Sequence, residues 1–240
     1  MLDLQAGDGV TTIRFDHPPV NALDLEIADA AIEALRGIDG PIVITGAGNC
    51  FSAGVDLRAV VEDGAEYTDR FLTSAIDAFF AVFDHPAPVV AAINGHAIAG
   101  GCVIAMAADV RCMSGGLIGL SELVVGVPFP VVALEICRYA MGPSATRAVL
   151  QGESIDAQAA FARGWIDEIV APDDLLPRAI ETARTMGTYA PAAFAAMKAQ
   201  LHRPTHAVID ASAEMDATVR ASWCSEETRA RIAAFMQSLK

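Results

Sequence analysis

Apolar and polar positions alternate in VTTIRF (10–15), which predicts a half-buried strand. LEIADAAIEAL (25–35) changes to a 3.6-residue apolar period and predicts a helix through about residue 36. PPVNALD (18–24) reads as the turn before it, with Asn21 as the helix cap. PIVITG (41–46) and PVVAAIN (88–94) are short, continuous apolar runs that predict buried strands. CFSAGVDL (50–57) reads as a loop of small residues, residues 62–70 as a polar surface connection, and about 69–84 as a helix. DVRCMS (109–114) and GLIGL (116–120) read as strands, and SELVVGVPFP (121–130) as a loop-rich stretch. After residue 131 the periodicity is helical over 131–141, 143–150, 156–163, 174–187, 191–202 and, with breaks, 205–238. WIDEIVA (165–171) supplies one last short strand. Three times, near 15–22, 41–54 and 88–101, a buried strand gives way to Gly or Asn and then small residues. That recurrence points to a repeating strand–turn–helix unit in an α/β chain, without the strict period of a solenoid.

Composition narrows the picture. At 240 residues, 53% hydrophobic and 19% charged, the chain can bury a large core as one domain or one domain with an appendage. A mean hydropathy of +0.40 requires either a membrane or surface hidden in an oligomer, and the oligomer is the better reading. Residues 86–108 lack Asp, Glu, Lys and Arg, but Pro86, Pro88, Asn94 and several glycines interrupt them, which does not suit a membrane span. A net charge of −14 argues against nucleic acid as a partner. Five scattered cysteines without a CxxC pair point to a reducing compartment and no metal site. MLDLQAGDGV has neither the basic flank nor the apolar core of a signal peptide, so a cytoplasmic location is expected. No GxGxxG or GxxxxGK[ST] occurs, which argues against a nucleotide fold of either type.

Candidate chemistry sits in two small-residue segments. In AIAGGCVIAMAA (97–108), Gly100 and Gly101 open a helix-forming run, although glycine costs about 1 kcal/mol against alanine inside a helix. The first N–H groups of a helix have no internal partner and stand at the positive end of its dipole. Bare glycines there leave room for a developing oxyanion, and Ala53 and Gly54 in CFSAGVDL leave room for a ligand to approach a second backbone segment. The other reading of the glycines is tight packing of helix on sheet. Glu122 is the lone acid in GLSELVVGVP, where burial would raise its pKa.

FSAGVDL, PVVAAINGHAIAGGCVIAMAADVRCMS, LSELVVGVP and QGESIDAQAAFARGWIDEIV, in this order, resemble the enoyl-CoA hydratase/isomerase (crotonase) family, and PPVNALD also fits. The resemblance implies a crotonase-like ββα spiral core over 1–187 and a C-terminal α-helical oligomerisation region over 188–240 that packs on neighbouring subunits. It implies an acyl-CoA thioester ligand, with CoA part of the substrate, and a homotrimer or dimer of trimers. The backbone N–H groups of Ala53 and Gly100 match the family's two oxyanion donors. Ala22, Ser52, Gly54, Val55, Asp56, Leu57, Arg58, Gly101 and Val103 fall in its substrate-binding segments; Asp56 is expected to fix the loop by hydrogen bonds, and Arg58 either meets a CoA phosphate or is a solvated arginine. Lys198 and Arg203 are weaker candidates for that phosphate. The family's hydratases carry two glutamates. Glu122 matches one, and Val103 stands where the other would be. The single-glutamate members isomerise 3-enoyl-CoA to 2-enoyl-CoA, and that reaction is the expectation here, with no metal or redox cofactor. Hydration, another crotonase reaction, or acyl-CoA binding without catalysis are the alternatives. Glu62, Asp63 and Glu66 are a solvated run that could supply a second acid. His96 is expected to hydrogen-bond rather than to act as a base. Met106, Phe71, Phe79 and Phe83 read as core, with an acyl pocket as the alternative.

Overall fold

The computed structural model describes residues 1–238. Ten strands and eleven α-helices follow one another as β1 (Leu2–Gly7), β2 (Val10–Phe15), α1 (Leu25–Arg36), β3 (Ile42–Gly46), β4 (Cys50–Ser52), α2 (Leu57–Phe83), β5 (Val89–Ile93), β6 (His96–Ile98), α3 (Gly100–Ala107), β7 (Val110–Met113), β8 (Leu117–Gly119), α4 (Glu122–Val125), α5 (Val131–Met141), α6 (Ala145–Gln151), β9 (Ser154–Asp156), α7 (Ala157–Ala162), β10 (Glu168–Ile169), α8 (Leu175–Met186), α9 (Pro191–Asp210), α10 (Ala213–Trp223) and α11 (Glu226–Ser238). The strands form two sheets. The larger runs β1-β2-β3-β5-β7-β10 and the smaller β4-β6-β8-β9.

The chain steps between the sheets in a fixed rhythm. A strand in the large sheet is followed by one in the small sheet and then a helix: β3–β4–α2, then β5–β6–α3. This is the ββα spiral that the family resemblance implied; the recurring strand–small-residue pattern alone pointed only to a strand–turn–helix unit. β2, β3, β5, β7 and β10 pair in parallel, with β1 antiparallel at the edge. Parallel strands with both faces covered read as unbroken apolar runs. IVITG and VVAAI are buried at every position. Ile42, Ile44, Val89 and Ala91 point into the main core, while Val43, Val90 and Ala92 point to the layer beneath α8.

Several elements differ from the sequence reading. The cap of α1 is Asp24, whose carboxylate accepts from Ile27 N at 2.8 Å. Asn21 instead pins the preceding turn, donating to the carbonyls of Ala47 and Cys50 at 3.0 and 2.7 Å. Residues 62–70 are helical, not a surface connection: α2 starts at Leu57 and breaks at Gly64 (φ 78°) before continuing. Glu62, Asp63, Glu66, Asp69 and Arg70 line its solvent side, a polar pattern that the sequence shares with a loop, while Thr68 is buried. β1, β4, β6 and β9 were not anticipated. β1 is an edge strand with little burial, and the other three span three residues each, too short to set a period. α9 runs through Pro204 as one helix.

α10 and α11 fold back onto α2 of the same chain rather than standing clear of the core. Arg220 Nη1 donates to the Asp69 carbonyl, the Asp69 carboxylate and the Thr73 hydroxyl at 2.9–3.0 Å, tying α10 to α2. Trp223 Nε1 donates to the Pro128 carbonyl at 2.8 Å. Among the described residues no helix is long and apolar enough to cross a membrane.

Candidate active site

The N-terminus of α3 meets the loop that leaves β4. Gly101 is demanded by that approach, since a Cβ there would collide with the Ser52 carbonyl oxygen. Gly54 has φ +81°, and a Cβ on it would stand 2.7 Å from the Ile98 oxygen and 3.0 Å from Gly100 N. The packing reading of the glycines holds: they permit the close approach that brings the two backbone segments together. Ala99, the cap of α3, is itself held at φ 52°, and no side chain caps the helix. Its first N–H groups are thus left without an intrahelical partner.

Ala53 does not offer its N–H to a ligand. It donates to the Val20 carbonyl at 3.0 Å. Gly54 N is also engaged, by Ser52 Oγ at 3.2 Å. The free donor of the loop is Val55: among the described residues its N–H has no acceptor, because the bridge to Leu23 uses the Gly54 carbonyl and Asp56 N. The assignment of Ala53 as a donor is corrected accordingly. The sequence could not distinguish these neighbours, because which N–H is spent depends on the Pro-rich turn folding against the loop.

Val55 and Gly100 line a cavity of about 560 Å³. That volume lies within the range of small-ligand sites. Glu122 also lines it, and is 7% exposed. Glu122 is carried on a single helical turn, its carbonyl held by Gly126 N and Val127 N at 2.9 and 3.0 Å. Its Oε2 is buried without a hydrogen-bond partner. Burial pushes its carboxyl up to about 8, with a bond from its own backbone opposing the shift. Asp56 borders the same cavity, but its carboxylate caps α2, accepting from Arg58 N and Ala59 N at 2.9 and 3.3 Å. Among the described residues, Glu122 is therefore the one unengaged carboxylate facing the cavity. Val103, at the second acid's position, is wholly buried and offers only a hydrocarbon wall.

The other candidates divide. Ala22, Leu57 and Arg58 line the cavity, as does Ala53 through its other atoms. Ser52, Gly54 and Gly101 shape it from behind and do not line it. Phe71 and Phe79 face it, while Met106 and Phe83 lie in the core. Lys198 is buried and paired with Asp109 at 2.9 Å, so it is not a ligand for phosphate, and Arg203 is not at the cavity. Glu62, Asp63 and Glu66 lie on α2 and do not line it. His96 accepts from Leu117 N at 3.2 Å. The sequence reading missed Trp223, Phe235 and Met236, which close the cavity from α10 and α11. Residues more than a hundred positions from the loop carry no local signal of that contact.

A family model described as enoyl-CoA hydratase/isomerase matches residues 5–240. A probable enoyl-CoA hydratase, echA17, of Mycobacterium avium is 35% identical over 219 residues, covering 87% of this chain and 79% of the relative. The crystal structure of human mitochondrial delta3-delta2-enoyl-CoA isomerase superposes with a TM-score of 0.93 at 21% identity, covering 99% of this chain and 97% of that one. An apo structure of an enoyl-CoA isomerase of Mycobacterium tuberculosis superposes with a TM-score of 0.82 at 28% identity, covering 90% and 97%.

Proposed function

The chain belongs to the enoyl-CoA hydratase/isomerase family, and from that premise we propose that it isomerises 3-enoyl-CoA to 2-enoyl-CoA. The observation that carries this reading is the single free carboxylate. Glu122 faces the cavity alone, with Val103 at the position of a second acid. Adding water at C3 calls for a water that is both held and activated. Shifting a double bond calls for one base that takes a proton and gives it back.

The Glu122 carboxylate removes a proton from C2. The electron pair moves into a C1–C2 enolate, and charge gathers on the thioester oxygen. Val55 N–H and Gly100 N–H are the donors for that oxygen, and each such donor is worth about 2.7–4 kcal/mol of barrier. Glu122 then returns its proton to C4, and the double bond ends between C2 and C3. A positioned base contributes about 10²–10⁴-fold. A carboxyl raised to about 8 is better matched to a carbon acid than an ordinary glutamate. CoA enters as part of the substrate, and no step calls on a metal or redox cofactor. The reading extends to a cytoplasmic homotrimer or dimer of trimers.

Hydration is the second reading, favoured by the name of the Mycobacterium avium relative. Absorbance at the conjugated thioester band separates the two. Rapid conjugation of 3-hexenoyl-CoA with negligible water addition to crotonyl-CoA is expected. Hydration of crotonyl-CoA at a comparable rate refutes the isomerase assignment. Tight binding of both thioesters with turnover of neither identifies a binder without catalysis.

A further inference from the structure

Behind the catalytic cavity lies a second space. It holds about 20 Å³, and every residue lining it is apolar and buried. That is room for about one water-sized group, and an apolar void of this kind stays dry. It sits between α1, the large sheet and α2, with Ile27, Ala28, Ala31 and Leu35 on its far wall. The two spaces have two lining residues in common, Ala75 and Phe79. These lie one turn apart on α2 and so share a face. Ala75 is too small to divide the spaces, so of the two shared residues the Phe79 ring is the partition, flanked by Leu23 of the void's lining, whose Cδ1 would stand 3.0 Å from a Cβ on Gly100. The tip of that ring also reaches the N-terminus of α3: a Cβ on Gly100 would stand 3.7 Å from Phe79 Cζ.

We propose that Phe79 determines acyl-chain specificity by closing the catalytic cavity against the void beside α1. The inference rests on the acyl-CoA reading above and adds which chains the site accepts. A chain that stops at the ring packs against an aromatic wall. A longer one must displace the ring into a space too small to receive it, at the cost of strained rotamers on α2. Removing the ring joins the spaces and lets further methylenes leave water for an apolar lining.

The test is calorimetric binding of saturated acyl-CoA thioesters, from butanoyl to palmitoyl, which needs no turnover. Phe79→Leu is the main variant, because it keeps apolar bulk on α2, and Phe79→Ala the stronger one. Relative to wild type, Phe79→Leu is expected to bind the first chain length that wild type rejects about tenfold more tightly, the effect of burying roughly two methylenes. Adding Ala28→Leu, which fills the void without touching the catalytic cavity, should reverse that gain. A merely structural role for Phe79 would weaken all chain lengths alike and would be indifferent to Ala28. A folded Phe79→Leu protein with the wild-type length profile overturns the inference and leaves the acyl-CoA reading standing. A wild type that binds no acyl-CoA of any length overturns both.

Discussion

Glu122 combines two properties that are costly together: it is buried, and one of its oxygens has no partner. Desolvation keeps it protonated up to about pH 8, whereas a solvated glutamate in the unfolded chain titrates near 4.5. The native state therefore holds a proton that the unfolded state has lost across that window, and stability from this group falls as pH rises through it. Below about 4.5 both states are protonated and above about 8 both are charged, so the cost is complete at the alkaline end. Glu122→Gln is accordingly expected to raise the melting temperature relative to wild type at about pH 8.5, and by clearly less at about pH 5. An equal difference at both values would mean that Glu122 is solvated. At this scale the sequence was most informative about side chains and least about backbone groups. A lone Glu in an apolar stretch and a Val at the second acid's position are visible in the letters. The choice between the Ala53 and Val55 N–H groups is not, because it is made by the Val20 carbonyl.

The site is assembled where elements end. α3 contributes its first turn, β4 its exit loop and α4 its single turn, and glycines hold these ends in contact. Gly101→Ala forces the added methyl onto the Ser52 carbonyl and is expected to destabilise the fold by about 1–3 kcal/mol in chemical denaturation. Trp223→Phe keeps most of the apolar surface but leaves the Pro128 carbonyl without its donor. That substitution is expected to cost about 1–3 kcal/mol and to raise KM, since Trp223 is both the tether of the loop after Glu122 and part of the cavity wall. An unchanged KM would confine Trp223 to a structural role. The long apolar strands and the helices of the second half were legible because each repeats its period over several residues. Strands of three residues, the break at Gly64 and the true cap of α1 were not, since each is decided by contacts distant in sequence.

For the whole molecule, β4, β6 and β8 run parallel, so the strand-to-helix transitions used by the site lie at one end of the small sheet, and the C-terminal helices close the cavity there from within the chain. That fold was legible because its motifs occur in order along nearly the whole sequence. The return of α10 and α11 onto α2 was not. α9 leaves Met197 and Leu201, one turn apart, 65% and 61% exposed, a face that the proposed trimer would cover. Light scattering is expected to give about three or six times the 25.1 kDa chain mass, and Leu201→Asp to lower it. A monomer at the chain mass would remove that part of the reading. Whether Glu122 is the sole acid and base is decided by the rate of 3-hexenoyl-CoA conjugation against pH for wild type and Glu122→Gln. Wild-type kcat/KM should rise through about pH 8, as the carboxyl loses its proton, and then level. The variant should fall about 10²–10⁴-fold and lose that rise. A variant that keeps most of the wild-type rate and the same pH dependence would mean that another group carries the proton.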